Sequence, residues 1–141
     1  MANIRLLAAS VIAASVLSSS MAAADDYLGS YVARLSEDDH YASDGYPLDT
    51  AAQVVRQDRA NVHRFGVIDR DDDADPWFAQ AAARTELERL LNQPGAMNAA
   101  TREIVFQGTP LVKVDVYRNS VRVTVLDGGG SGSAGGFSGS N

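Results

Sequence analysis

The sequence predicts a small α+β domain, three or four short helices packed on a C-terminal antiparallel β-hairpin that a third strand would extend. Three observations predict it. Two valine-rich runs near the C-terminus alternate apolar and polar residues around a short turn, capped segments of helical spacing precede them, and the chain between its two low-complexity ends, residues 25–127, is one domain long.

The N-terminal residues 1–24 carry one early positive charge at Arg5, an apolar run from Leu6 to Leu17 and small residues before Asp25. This is the layout of a secretory leader, with Ala22 and Ala24 as the small-x-small cleavage site. Its apolar run, broken by Ser10 and Ser15, is shorter than the roughly 20 residues a membrane span needs. The expectation is an exported protein, periplasmic or extracellular, that does not stay inserted in a membrane. Residues 25–49 are the least regular: Tyr27 to Leu35 reads as a short helix or an edge strand, and the following segment reads as loop, with a turn at Asp44-Gly45 and Pro47 behind it.

A helix is predicted from Thr50 to Gly66, because Thr50 and Gln53 stand in the capping-box relation and Gly66 follows the last periodic residue, Phe65. Ala51, Val54, Val55, Val62 and Phe65 share one stripe at 100° per residue. Next comes an acidic stretch with five aspartates between Asp69 and Asp75. Asp75-Pro76 reads as a helix start. The phase of Trp77 and Phe78 does not match that of Leu87, Leu90 and Leu91, so two short helices are expected, about 76–83 and 86–93, the second capped by Thr85 and Glu88. A further helix runs from the cap Asn98 to Gly108, with Pro110 behind it.

In "PLVKVDVYRNSVRVTVLD", Val112, Val114 and Val116 alternate with Lys113, Asp115 and Tyr117, and Val121, Val123 and Val125 alternate with Arg122 and Thr124. With Asn119-Ser120 as a two-residue turn, Val116 pairs with Val123 and Val114 with Val125. A lone hairpin is unstable in water, so the valine face must be covered by the helices. The third strand would come from the Tyr31–Leu35 segment or from Phe65–Ile68. The last 14 residues hold seven of the chain's 12 glycines and read as a flexible Gly/Ser-rich tail over 128–141.

Charge and composition exclude several functions. Without the leader the chain has eleven basic and eighteen acidic residues, a net charge of −7, with its positive charges scattered. Such a surface is repelled by nucleic acid. No cysteine is present for a thiol nucleophile, a disulfide or a lipid anchor. No Gly-x-Ser-x-Gly elbow, no paired-histidine metal spacing and no glycine-rich phosphate loop occurs, so no cofactor or metal is expected.

What remains are carboxylates, amides and two histidines. Against a calcium-loop template, Asp69, Asp71 and Asp73 fit positions 1, 3 and 5, whereas Ala74 and Gln80 stand where glycine and glutamate are needed. The acidic stretch from Asp69 to Asp75 therefore reads as a solvated approach to a helix cap, with a calcium-stabilised domain as a minor alternative. Asp58 is the more unusual carboxylate, because it falls in the middle of an apolar stripe with Asn61 at the stripe's edge. A carboxylate there must find a partner or shift its pKa. Arg84, Arg102, Arg118 and Arg122 are the candidate partners. His40 and His63 read as exposed surface histidines, and His63 lies about 120° or more from Asp58 on the helix wheel, judged at 100° per residue. The polar hairpin face, with Lys113, Tyr117, Arg118 and Arg122, reads as a solvated sheet surface or a docking face for an acidic partner. Asp58 and Asn61 are thus the candidate binding residues. The expectation is a non-catalytic binding or accessory module acting through a protein or envelope partner. A small hydrolase using Asp58 and Asn61 in a cleft is the alternative.

Overall fold

A computed structural model of the chain describes residues 24–129. Residues 1–23 of the expected leader and 130–141 of the expected Gly/Ser tail lie outside the described residues. Within them the order is strand β1 (Tyr27–Arg34), a 3-10 turn (Glu37–His40), helices α1 (Ala51–Phe65), α2 (Ala81–Leu91) and α3 (Ala99–Gln107), then strands β2 (Leu111–Tyr117) and β3 (Val121–Asp127). The class is α+β, as expected. The strands form one antiparallel sheet in the order β1-β2-β3, so the third strand comes from the N-terminal segment and precedes the helices.

The valine alternation sets which face of the hairpin is buried. Val112, Val114, Val116, Val121 and Val123 all point into the core against Val54 and Val55 of α1, Leu87 and Leu91 of α2 and Val105 of α3. The pairing itself differs from the expected one by two residues: Val116 faces Val121 and Val114 faces Val123. The turn is Arg118-Asn119, closed by the Tyr117 amide donating to the Ser120 carbonyl at 2.9 Å. A one-residue slip would turn the valines outward, at on the order of 1.5–3 kcal/mol for each, whereas a two-residue slip preserves every face. Alternation therefore fixes parity and leaves register open. Contacts distant in sequence choose it: the Arg118 amide donates to the Asp26 carbonyl, and the Asn119 amide and Ser120 hydroxyl both donate to the Asp25 carboxylate.

The helices begin and end where their caps dictate. The Thr50 hydroxyl accepts from the Gln53 amide, while the Gln53 side chain accepts from the Asp49 amide, and Gly66 ends α1 in the left-handed region at φ 68°. Asn98 caps α3 by accepting from the Thr101 amide at 2.8 Å. The expected pair of helices over 76–93 is instead one, α2, preceded by bends from Pro76 to Gln80. Asp75 does cap, accepting from the Trp77 and Phe78 amides, but no helix follows it. The turning chain brings both Phe78 and Leu87 into the core, which resolves their phase mismatch without a break at Thr85. The Thr85 hydroxyl lies within α2 and donates to the Ala81 carbonyl, so it caps nothing.

The acidic stretch leaves Asp71 and Asp73 exposed, as a solvated approach to the Asp75 cap would, but it does more than that. Its backbone and carboxylates cover the free edge of β1: the Val32 amide donates to Asp73, the Arg34 amide to Asp72, and the Asp73 amide to the Val32 carbonyl. An open strand edge invites pairing with another chain, and here carboxylates occupy its donors. Trp77 then packs on Gly29, where an added Cβ would stand 2.7 Å from the indole and where φ is +151°. Only glycine combines that backbone with that close approach.

Candidate functional site

Helix α1 sorts its polar residues into three adjacent rows. Gln57 and Asn61 form one i,i+4 row, Arg59 and His63 another, and Asp58 lies between them. Each row meets a different environment.

Asp58 is buried, at 1% exposure, as its place on the apolar stripe implies. Its partner is none of the four arginines the sequence offered but its own neighbour, Arg59, whose Nε donates to Asp58 Oδ2 at 2.6 Å. Arg59 is sealed completely, at 0% exposure, and is the hub of the cluster. Its Nη1 donates to Asp75 Oδ2 and to the Asp73 carbonyl, both at 3.1 Å, and its Nη2 lies 3.9 Å from Asp72 Oδ2. The guanidinium carbon stands 4.4 Å over the Tyr31 ring. His63 completes the group, Nε2 lying 2.7 Å from Asp75 Oδ2, so the proton it donates sits on Nε2.

One guanidinium cannot neutralise three carboxylates in a dry interior, and the carboxylates respond differently. Burial pushes the Asp58 carboxyl up to about 8, against the pull of Arg59. Burial also raises Asp72, against the amide hydrogen bonds from Arg34 and Asp69. For Asp75 burial is outweighed by the hydrogen bonds from His63, the Phe78 amide and Arg59, and its pKa is lowered. Arg59 is held protonated despite burial by the charge of Asp58 beside it. Asp58 Oδ1, Arg59 Nη2 and Tyr31 Oη are buried with no hydrogen-bond partner among the described residues.

Asn61 faces elsewhere. Its Nδ2 donates to Asp39 Oδ1 at 2.7 Å, and its Oδ1 accepts from Gln57 Nε2 at 2.9 Å. Asp39 is itself held by the Ser36 amide and hydroxyl, and burial raises its pKa against those bonds. Asn61 and Gln57 form part of a 360 Å³ groove between α1 and the 38–45 loop, with Tyr41, Phe65 and Val67 beside them. Asp58 lines neither this groove nor three others on the described surface. The two candidate residues therefore lie three positions apart on one helix and do not share a cleft.

Neither histidine is the exposed surface residue expected. His40 lies between the Ser36 and Val105 carbonyls, at 3.0 and 3.2 Å from its two ring nitrogens, and His63 belongs to the buried cluster. Among the described residues no three histidine, cysteine, aspartate or glutamate side chains converge as a metal site. On the hairpin face Lys113 pairs with Asp115 and Arg118 with Asp26.

Sequence reasoning overlooked Arg59, Tyr41 and the exposure of Phe65. For Arg59 the signal was present, since it follows Ala52 at i+7 and Val55 at i+4 and so lies on the buried side of α1. Phe65 closes the apolar stripe yet is 49% exposed, because the helix ends beyond the core. Compared with protein-family models, curated proteins and solved structures, the chain matches none.

Proposed function

We propose that this chain is an exported, non-catalytic binding or accessory module of the cell envelope or extracellular space. The observation that carries the reading is the division of α1. The carboxylate with the most perturbed chemistry, Asp58, is paired to Arg59 and sealed from every groove described, whereas Asn61 opens onto a preorganised polar groove edged with exposed aromatic residues. A perturbed acid marks a catalytic site only where substrate can reach it. Here burial accounts for the perturbation, against the pull of Arg59, and the accessible chemistry is that of recognition: amides, a hydroxyl and aromatic faces.

The leader-like residues 1–24 and the acidic surface support an envelope or extracellular setting and disfavour a nucleic-acid partner. The test is affinity capture with the immobilised chain from envelope and culture fractions, alongside turnover assays on chromogenic esters, phosphates and glycosides. A partner or ligand retained specifically, with no turnover sensitive to Asp58→Asn, is the expected result. Hydrolysis abolished by Asp58→Asn in a folded variant would replace the module by the hydrolase.

A further inference from the structure

The groove beside Asn61 has a hydrogen-bonding inventory that selects among ligand classes. Gln57 Nε2 donates to Ser43 Oγ at 3.4 Å and to Asn61 Oδ1 at 2.9 Å, and Asn61 Nδ2 spends one hydrogen on Asp39. Four groups are left over. The Ser43 hydroxyl, which already accepts, has its own hydrogen to donate, and Asn61 has a second N–H. Gln57 Oε1 and the Asp38 carboxylate are acceptors that take no bond among the described residues, and neither is a buried orphan atom. The open floor thus presents two donors and two acceptors. An anion would call for donors alone and a cation for acceptors alone. A neutral polyol, each hydroxyl of which both donates and accepts, matches the mixture.

The walls point the same way. Tyr41 and Phe65 line this groove while remaining 48% and 49% exposed, an arrangement that leaves large apolar rings in water unless something covers them. Arg64 sits over the Phe65 ring at 4.9 Å from its centroid, occupying one face. An aromatic ring beside oriented amides suits a flat ligand with one C–H face and a rim of hydroxyls. The volume, 360 Å³, falls in the range of about 300–1,000 Å³ typical of small-molecule sites.

We infer that this groove binds a neutral carbohydrate, its C–H face on Tyr41 and Phe65 and its hydroxyls on Gln57, Asn61, Ser43 and Asp38. The inference rests on the reading of the chain as a non-catalytic binding module and names that module's ligand class.

Saturation-transfer NMR with the full chain, using cellobiose, maltose and diacetylchitobiose at millimolar concentration, tests it directly. Choline chloride and sodium sulfate serve as the cationic and anionic probes. At least one sugar should receive saturation on its ring C–H protons, and neither salt should compete. Tyr41→Leu and Phe65→Leu keep apolar bulk and remove the ring, so each should fold and should weaken the sugar signal at least five-fold. Tyr27→Ala, which removes an exposed aromatic on the sheet, should leave it unchanged. No transfer to any of the three sugars, displacement by choline or sulfate, or loss in Tyr27→Ala with retention in both leucine variants would overturn the assignment. Release of monosaccharide during the experiment would sink the non-catalytic reading while leaving the carbohydrate assignment standing.

Discussion

Asp58 and Asn61 lie three residues apart on α1 and meet opposite fates. Around Asp58 every polar group is turned inward onto Arg59, Asp75, Asp72 and Tyr31, and the loop that brings the aspartates also closes the edge of β1. Around Asn61 the amides are held by one another and by Asp39, leaving donors and acceptors turned toward water. A charged cluster sealed inside a small domain acts through folding: it ties α1, β1 and the 69–75 loop into one arrangement. An oriented polar surface with exposed rings, under the function proposed here, would act through recognition. The oddest residue in a sequence and the residue that opens onto a groove thus need not coincide.

Four perturbations probe this contrast. The largest effect is expected for Arg59→Met, which leaves Asp58 and Asp75 buried without their cation. Breaking a buried pair by removing one partner costs about 3–5 kcal/mol, read as a shifted urea midpoint, and a loss below ~1 kcal/mol would show that the cluster does not hold the fold. The next is the pH dependence of stability. Asp58 is raised to about 8 in the folded chain from an ordinary value of 3.8, so its stabilising contribution is complete below about pH 4 and is lost as pH rises toward 8. Asp72 and Asp39 act in the same direction. Asp75, lowered, works oppositely and loses stability as pH falls through its depressed pKa. Asp58→Asn should therefore flatten the fall in stability between about pH 4 and 8 and be more stable than the parent at pH 9, by several kcal/mol at most, since each tenfold change in proton affinity is worth about 1.4 kcal/mol. An unchanged slope would remove Asp58 as its source.

Gly29→Ala comes third. The new Cβ would collide with Trp77 in a backbone conformation only glycine favours, at a cost of about 1–3 kcal/mol in a thermal melt. A neutral result would mean that Trp77 does not pin the loop carrying Asp72 and Asp75. Asp72→Ala should be the mildest, about 1–2 kcal/mol, because the lost bonds to the Arg34 and Asp69 amides are offset by relief of excess negative charge near Arg59. It should also uncover the β1 edge, so faster aggregation by light scattering is expected, and an aggregation rate equal to the parent's would count against edge protection.

How much of this was legible differs between the halves of the chain. The α1 and α3 boundaries could be read because Thr50, Asn98 and Gly66 act locally, within one turn of their own position. The hairpin's faces could be read from its valines, but its register is set by Asp25 and Asp26, over ninety residues away, and no local pattern encodes that. Trp77 and Phe78 gave the right burial and the wrong helix, because Asp75 caps two amides and the chain then bends. For the site, burial of Asp58 followed from helical phase. Its partner did not, since Arg59 becomes the hub only when the tertiary fold delivers the acidic loop to it. The groove was half visible: Asn61 stood out at the stripe's edge, but the wall contributed by Tyr41 exists only once the 38–45 loop folds against α1.

One variant assayed two ways decides whether α1 is divided in this manner. Asp58→Asn preserves the shape and the hydrogen bond from Arg59, so a folded protein is expected at neutral pH. Its binding of the neutral sugars should stay within two-fold of the parent, and its turnover on the chromogenic substrates should equal the parent's. Loss of binding or of turnover in an Asp58→Asn protein of parental stability would place Asp58 in the working site and contradict the division.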